Sequence, residues 1–191
     1  MTIQDLLLRR RAIAKQSGGG GILPSGYIQL EYIQGTGDKQ LDLFAVQNGD
    51  TFLIDVIDEN IPYSANKLLF GMSSSNGYYV AIMRDTNAWR LSTSSLTNAL
   101  PSERNVLSIS LSGNKLHLES KGESLSSGNL AISGKSWQLF GVDNNFYIQS
   151  KVYGLKMYRN NELYMDFIPC KRKNDDAIGF YDIVNDTFYE Y

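Results

Sequence analysis

The sequence predicts an all-β protein, an antiparallel jelly-roll-type β-sandwich with a short N-terminal helix on a glycine-rich tether. Apolar and polar residues alternate with a period of two through most of the chain after Pro24, which is the pattern of half-buried strands. Turn-forming residues separate these runs at short intervals. No segment after residue 16 has a strong helical period. About a dozen short strands joined in this way are typical of sandwiches and jelly rolls.

The first 21 residues, MTIQDLLLRRRAIAKQSGGGG, have the pattern of a short amphipathic helix followed by a linker. Thr2 is a suitable N-cap, with Asp5 as the acidic residue of a capping-box variant. Cations near the C-terminal end of the segment suit the helix dipole. Because a helix of about 14 residues is marginal by itself in water, we expect residues 1–16 to fold when docked. Residues 17–23 are then the linker, and residues 24–191 form the sandwich.

The expected docking surface combines an apolar stripe with a basic rim. Its residues are Ile3, Leu6, Leu7, Arg9, Arg10, Arg11 and Ile13. The alternative is that this helix packs on its own domain. The run of four glycines favours docking on another chain, because a helix that packs on its own domain seldom needs so flexible a linker.

Local patterns within residues 24–191 predict particular hairpins. The stretch NVLSISLSGNKLHLES at 105–120 has two matching apolar faces and a turn at 112–115. YRNNEL and IVNDTF contain Asn-Asn and Asn-Asp turn centres. We expect a strand to end in DFIPC, because Pro169 cannot donate a ladder hydrogen bond. The final stretch, AIGFYDIVNDTFYEY, is expected to form a terminal hairpin.

The composition is that of an ordinary globular protein and excludes several kinds of site. Of the 191 residues 42% are hydrophobic, and the net charge of −2 argues against a general nucleic-acid binder. Cys170, the single cysteine, excludes an internal disulfide and is expected to be a small buried residue rather than a reactive thiol. No apolar run reaches the roughly 20 residues of a membrane-spanning helix. The N-terminus also lacks the pattern of a secretory signal.

Two stretches of the chain resemble a known family. LPSGYIQLEYIQGTGDKQLDL at 23–43 and SKVYGLKMYRNNELYMDFIPCKRKNDDAIGFYDIVNDTFYEY at 150–191 are similar to the opening and closing phrases of a family common in phages and gut bacteria. Its members resemble modules of phage structural proteins and bacterial surface proteins with a concanavalin A-like, laminin-G-like β-sandwich. The resemblance implies this fold here, with the closing block as the seam between the first and last strands. Departures at 41–45 and 175–176 alter a strand end and a turn.

The residues argue against the glycosidase chemistry that some proteins of this superfamily perform. Its glucanases carry two glutamates in an E-x-D-x-x-E pattern on one strand face, and the nearest stretch here, IDVIDEN, offers Asp55, Asp58 and Glu59. Residues three apart on a strand point to opposite faces, so Asp55 and Asp58 cannot form that pair. His117, the single histidine, alternates with charged residues and is interpreted as an exposed strand residue. We therefore predict that the protein is not an enzyme.

Ligand binding stays open at this point. The stretches DNN at 143–145 and NDD at 174–176 offer oxygen ligands for calcium, although both are also typical of turns. No other cofactor or metal is expected. A sugar site needs an exposed aromatic residue flanked by amides and acids, and the candidates are Trp89, Asn87, Asp85, Tyr78, Tyr79 and Tyr63. The alternative for Trp89 is a place in the core, because it alternates with Leu91.

These observations lead to two hypotheses of function. In the first, the chain is a non-enzymatic phage virion protein, a decoration or head or tail fibre-type subunit, assembled in the host cytoplasm. Its N-terminal helix docks on other virion proteins, and a homo-oligomer displays the sandwich for glycan or host-surface adhesion. In the second, it is a bacterial surface carbohydrate-binding module. The missing export signal and the tethered helix favour the first hypothesis.

Overall fold

The computed structural model describes residues 22–58, 67–73, 79–84, 88–91, 94–96, 98, 100–127, 136–141 and 147–191. The predicted helix at 1–16 and the glycine run lie outside these residues. Within the described residues the chain is all β, as predicted. That part of the chain contains no helix of the length and hydropathy needed to cross a membrane.

The described part of the chain forms short strands joined mainly by turns. In chain order the strands are Tyr27–Gln29 (β1), Ile33–Gln34 (β2), Leu41–Ala45 (β3), Asp50–Ile57 (β4), Lys67–Ser73 (β5), Tyr79–Arg84 (β6), Trp89–Leu91 (β7), Ser94–Ser95 (β8), Asn105–Ser112 (β9), Lys115–Ser120 (β10), Glu123–Ser126 (β11), Ser136–Leu139 (β12), Lys151–Arg159 (β13), Glu162–Arg172 (β14), Ile178–Asp182 (β15) and Thr187–Glu190 (β16).

These strands make two antiparallel sheets. The larger sheet has ten strands in the order β11-β10-β9-β4-β13-β14-β15-β16, with β1 beside β14 and β2 beside β13. The smaller sheet has six strands in the order β3-β12-β5-β6-β7-β8. Strand β4 therefore lies in the middle of the larger sheet, between β9 and β13.

The two sheets share one hydrophobic core. Phe52 on β4 lies 5.1 Å from Phe70 on β5 and 5.7 Å from Trp137 on β12, measured between ring centroids. All three side chains are fully buried, and burial of a Phe-sized side chain contributes roughly 1.5–3 kcal/mol. Burial alternates along β9 and β10, so one face of the larger sheet packs on the core and the other faces outward.

Backbone conformations at the hairpin turns explain the asparagines of the sequence. The hairpin predicted at 105–120 is present, and its turn residues Gly113 and Asn114 have φ values of 55° and 60°. Asn160 and Asn161, between β13 and β14, have φ values of 51° and 66°. Two consecutive residues with positive φ are the requirement of a type I′ turn, which asparagine and glycine meet at low cost. The terminal hairpin of β15 and β16 is also confirmed.

Pro169 does not end its strand, so that prediction is wrong. Strand β14 continues through Pro169 to Arg172. The Pro169 carbonyl accepts a hydrogen bond of 2.9 Å from the Leu30 N–H. The nitrogen and carbonyl of one residue point to the same side of an antiparallel strand, so the missing N–H faces the end of β1. On its other side Pro169 pairs with Phe180 in an uninterrupted ladder with β15.

The expected seam between the two ends of the fold is confirmed. Strand β1 pairs with β14, and Tyr27 lies opposite Arg172. The ends meet a second time where the Tyr191 hydroxyl accepts a hydrogen bond of 2.8 Å from the Thr36 N–H. The Tyr191 ring also packs on Phe140, with centroids 4.9 Å apart. The loop after β2 is thus held by the end of the chain.

Glycine at position 179 permits the close approach of β15 and β16. A Cβ atom at Gly179 would lie 2.1 Å from the Tyr189 carbonyl oxygen and 2.8 Å from the Phe188 ring. Both distances are far below van der Waals contact, so the two strands could not keep this spacing around a larger residue.

Candidate functional site

A cluster of charged and aromatic side chains lies on the outward face of the larger sheet, and we call it the Arg104 cluster. It consists of Tyr32, Asp55, Arg104 and Tyr153. Asp55 points outward because its neighbours Ile54 and Val56 on β4 fill the core. The four residues come from the β1–β2 connection, β4, the residue before β9, and β13.

Arg104 joins the members of this cluster. Its Nε donates to Asp55 Oδ1 at 2.8 Å, and its Nη2 donates to Asp55 Oδ2 at 2.7 Å. The guanidinium carbon lies 3.7 Å from the centre of the Tyr153 ring, within the range of a cation–π contact. The Tyr32 ring follows at 5.5 Å from Tyr153, and Lys151 Nζ is 5.1 Å from the centre of the Tyr32 ring.

A β-bulge makes room for this arrangement. The pairing of β4 with β13 shifts register between Val152 and Gly154, so that Gly154 lies opposite Asp55. Tyr153 is the additional residue of the bulge, and bulges commonly re-aim a side chain. Gly154 therefore adds no side chain to the outward face beside Asp55.

The two charges of the pair differ in their exposure. The Asp55 side chain is 10% exposed, whereas that of Arg104 is 50% exposed. Hydrogen bonding to Asp55 raises the pKa of Arg104, burial opposes that rise, and the charge of Glu31 adds to it. In a planar guanidinium whose Nε and Nη2 face a carboxylate, the Nη1 amino group points away from that carboxylate. The cluster therefore has a buried acceptor and an outward-facing donor.

A similar trio lies at the opposite end of β4. Arg159 Nε and Nη2 donate to the two oxygens of Asp50 at 2.9 and 3.0 Å, and its guanidinium carbon lies 4.3 Å from the Tyr164 ring centre. Here the Asp50 side chain is fully buried and that of Arg159 only 22% exposed. Asp50 also accepts a hydrogen bond of 2.9 Å from the Gln47 N–H. This trio fastens the sheet end and offers less surface to a ligand.

The structure removes Trp89 from the candidate sugar site. Trp89 is fully buried and Leu91 is 2% exposed, so the core alternative is right and the prediction of an exposed Trp89 is wrong. Its ring cannot stack on a sugar from that position. Tyr79 belongs to β6, and its side chain lies outside the described residues. The remaining candidates, Tyr63, Tyr78, Asp85 and Asn87, also lie outside them.

Of the carboxylates considered for catalysis, that of Asp55 is held in an ion pair. Asp55 is bound by Arg104. Asp58 follows the end of β4, is fully buried, and donates its N–H to the Pro101 carbonyl at 2.7 Å. Glu59 lies outside the described residues. His117 alternates outward on β10 as predicted but is half-buried, with Nδ1 2.8 Å from the Ser126 hydroxyl oxygen.

The turn at NDD is built from ion pairs. Asp175 accepts hydrogen bonds from Arg172, which lower the pKa of Asp175, and Asp176 pairs with Lys171 at 2.6 Å. The DNN stretch lies outside the described residues. Within residues that the structure describes, no group of three or more His, Cys, Asp or Glu side chains is arranged to hold a metal ion. Cys170 is buried, as expected, and burial raises its pKa to about 11.

The chain matches no protein-family model and no curated protein. It is similar in structure to a mutant of Trypanosoma rangeli sialidase displaying trans-sialidase activity, with 12% identity and a TM-score of 0.48 over 80% of this chain and 33% of that chain. It is also similar to the full extracellular region of zebrafish Gpr126/Adgrg6, with 11% identity and a TM-score of 0.39 over 64% and 21% of the two chains. This chain thus spans a third or less of either neighbour.

Sequence reasoning missed the Arg104 cluster, although part of it left a signal. Asp55 stands within the apolar stretch TFLIDVI, and a carboxylate in such a strand requires a partner. Tyr153 stands in an outward-facing position of an alternating strand. Arg104 and Tyr32 lie in connections, where no local pattern connects them with a residue so far away in the sequence.

Proposed function

We propose that this chain is a non-enzymatic virion structural protein of phage type, a decoration or fibre-type subunit. Residues 1–16 anchor it to other virion proteins, and residues 24–191 form a concanavalin A-like jelly-roll sandwich. The sandwich serves glycan or host-surface adhesion. The observation that carries the adhesive role is the Arg104 cluster, which presents a fixed guanidinium and two half-buried tyrosines on the outward sheet face.

The state of four buried aspartates among the described residues supports a role without catalysis. Asp50, Asp55 and Asp166 each accept hydrogen bonds from a basic side chain. Asp182 accepts hydrogen bonds from the N–H groups of Asp166 and Val184, both at 3.0 Å. Hydrolysis of a glycoside needs one carboxyl group held protonated and a second that is ionised. Carboxylates committed to ion pairs and turns serve the fold instead.

The virion assignment is supported by the sequence rather than by this cluster. The motifs at 23–43 and 150–191 resemble a family with members in phage structural proteins. The pattern at 1–21 is that of an amphipathic helix on a tether, a common form of peptide anchor that lays its apolar side in a groove. A homo-oligomer on the particle would bring several sandwiches together and raise the avidity of weak adhesion.

Particle co-purification with an anchor variant tests this proposal. Particles are produced by a host that carries the gene, purified on a density gradient, and assayed for the protein. Leu6→Asp together with Leu7→Asp should release a folded sandwich, because loss of two buried leucines weakens docking by about 3–6 kcal/mol. Gly19→Ser together with Gly20→Ser is the matched control and should leave the protein attached, since the linker keeps its reach.

Two results would contradict the proposal. Absence of the wild-type protein from purified particles would remove the virion role. Full occupancy by the double aspartate variant would place the anchor in the sandwich instead of the helix.

A bacterial surface carbohydrate-binding module is the second candidate, and the Arg104 cluster is compatible with it. For that candidate the protein would be recovered on the cell surface of its producer and not on particles.

A further inference from the structure

The composition of the Arg104 cluster indicates the kind of ligand that fits it. Within the cluster the positive charge of Arg104 is matched by the negative charge of Asp55, and outside it Glu31 acts on Arg104 while Lys151 lies near Tyr32, so these four formal charges sum to zero. An acidic ligand would therefore add an uncompensated negative charge, whereas a neutral ligand would not. The rings of Tyr32 and Tyr153 are both half-buried and add apolar surface with a polar tip.

The geometry of Arg104 adds a directional requirement. Asp55 engages the Nε and Nη2 side of the guanidinium, which leaves Nη1 and the second Nη2 hydrogen on the opposite side. These N–H groups form a planar fork with two parallel donors. Two contacts restrict the fork: Asp55 holds it from one side, and Tyr153 lies against its face at 3.7 Å. A rigid pair of donors matches two acceptor atoms on adjacent carbons.

We propose that the Arg104 cluster binds a neutral sugar through two adjacent hydroxyl groups, an inference that rests on the adhesive role proposed above. The hydroxyl oxygens accept from the Arg104 fork, and the C–H face of the sugar ring packs on Tyr32, since Arg104 itself covers the face of the Tyr153 ring. The Arg159 trio does not serve this purpose, because its arginine is less exposed and its tyrosine has no second aromatic partner among the ring pairs of the described residues.

Binding of the purified full chain to immobilised polysaccharides tests the inference. Two neutral probes, β-1,4-mannan and β-1,4-galactan, have free hydroxyl groups on adjacent carbons. A third neutral probe, β-1,3-glucan, has no such pair on its internal residues. Polygalacturonate is the acidic probe. We expect the protein to bind a 1,4-linked neutral probe and not to bind the β-1,3-glucan. Treatment of the probe with periodate, which cleaves adjacent diols, should abolish the binding. Arg104→Lys retains the charge beside Asp55 but loses the planar fork, so it should weaken binding by about tenfold or more.

Two further variants make the assay specific. Tyr32→Ala should also weaken binding, whereas Arg159→Lys, the same change in the other trio, should leave it unchanged. The urea midpoint of each variant shows whether it is folded. Binding to no probe, binding to polygalacturonate alone, or full binding by Arg104→Lys would overturn the inference. A protein that binds no probe but remains on particles would contradict this inference and leave the virion role supported. A protein that binds glycan but does not attach to particles would support this inference and contradict the virion role.

Discussion

Gly179→Ala should severely destabilise the fold, because the added methyl group has no space. A Cβ at this position meets the Tyr189 carbonyl oxygen at 2.1 Å and the Phe188 ring at 2.8 Å. The ring can rotate, but the carbonyl belongs to the backbone of β16, so the strand must move by more than an ångström. Overpacking of this kind costs about 1–3 kcal/mol, and each ladder hydrogen bond lost costs about 0.5–1.5 kcal/mol more. We expect a total of roughly 3 kcal/mol.

Urea denaturation followed by far-ultraviolet circular dichroism measures this loss as a lower midpoint at unchanged slope. Gly26→Ala is the matched control, because a Cβ there has no atom within 4 Å. We expect the control to stay within about 1 kcal/mol of the wild type, with a small gain from reduced freedom of the unfolded chain. An unfolding free energy for Gly179→Ala within 0.5 kcal/mol of that of Gly26→Ala, roughly the size of an ordinary surface effect, would refute the close-approach argument.

Three further predictions concern stability and reactivity. Trp89→Ala should lower the free energy of unfolding by about 3–5 kcal/mol, as expected for a large core aromatic, and a value under 1 kcal/mol in urea denaturation would place the ring outside the core. Asn161→Val should cost about 1–2 kcal/mol at its positive φ, whereas Asn161→Gly should be neutral or better, and equal midpoints of the two variants would contradict the type I′ turn. Burial raises the pKa of Cys170 to about 11, so with rising pH the unfolded thiol ionises first, near pH 8.5. Stability should therefore be constant below that pH and fall towards pH 11 relative to Cys170→Ala, and rapid thiol labelling of the native protein at pH 8 would disprove the burial.

The features that the sequence predicts well are those determined by local interactions. The hairpin of β9 and β10 follows from two alternating faces and a Gly-Asn turn, all within 16 residues. Alternation also restricts Trp89 to two faces, but it does not say which face meets the second sheet. The prediction for Pro169 is wrong because the effect of a proline depends on the strand beside it, and the end of β1 comes from a distant part of the chain.

The Arg104 cluster could not be predicted from local sequence patterns for the same reason: its residues are distant in the sequence. Tyr32 and Tyr153 stand 121 positions apart in the sequence, and only the pairing of β2 and β4 with β13 brings them together. The sequence shows that Asp55 needs a partner, and Arg104 is one of many cations that could supply it. A bulge at Tyr153 and Gly154 lies beside Asp55, and it leaves no clear signal in the sequence.

The order of strands in the larger sheet has a consequence for how the chain folds. One half, β4 with β9, β10 and β11, is complete once residue 126 has been made, whereas the other half is built around β13 and β14. The halves join along β4 and β13, which pair residues 50–57 with residues 151–159. Contacts between such distant residues are slow to form, on a scale of milliseconds to seconds. During synthesis β4 therefore has one open edge next to a finished neighbour, and intermolecular pairing at that edge competes with folding until β13 arrives.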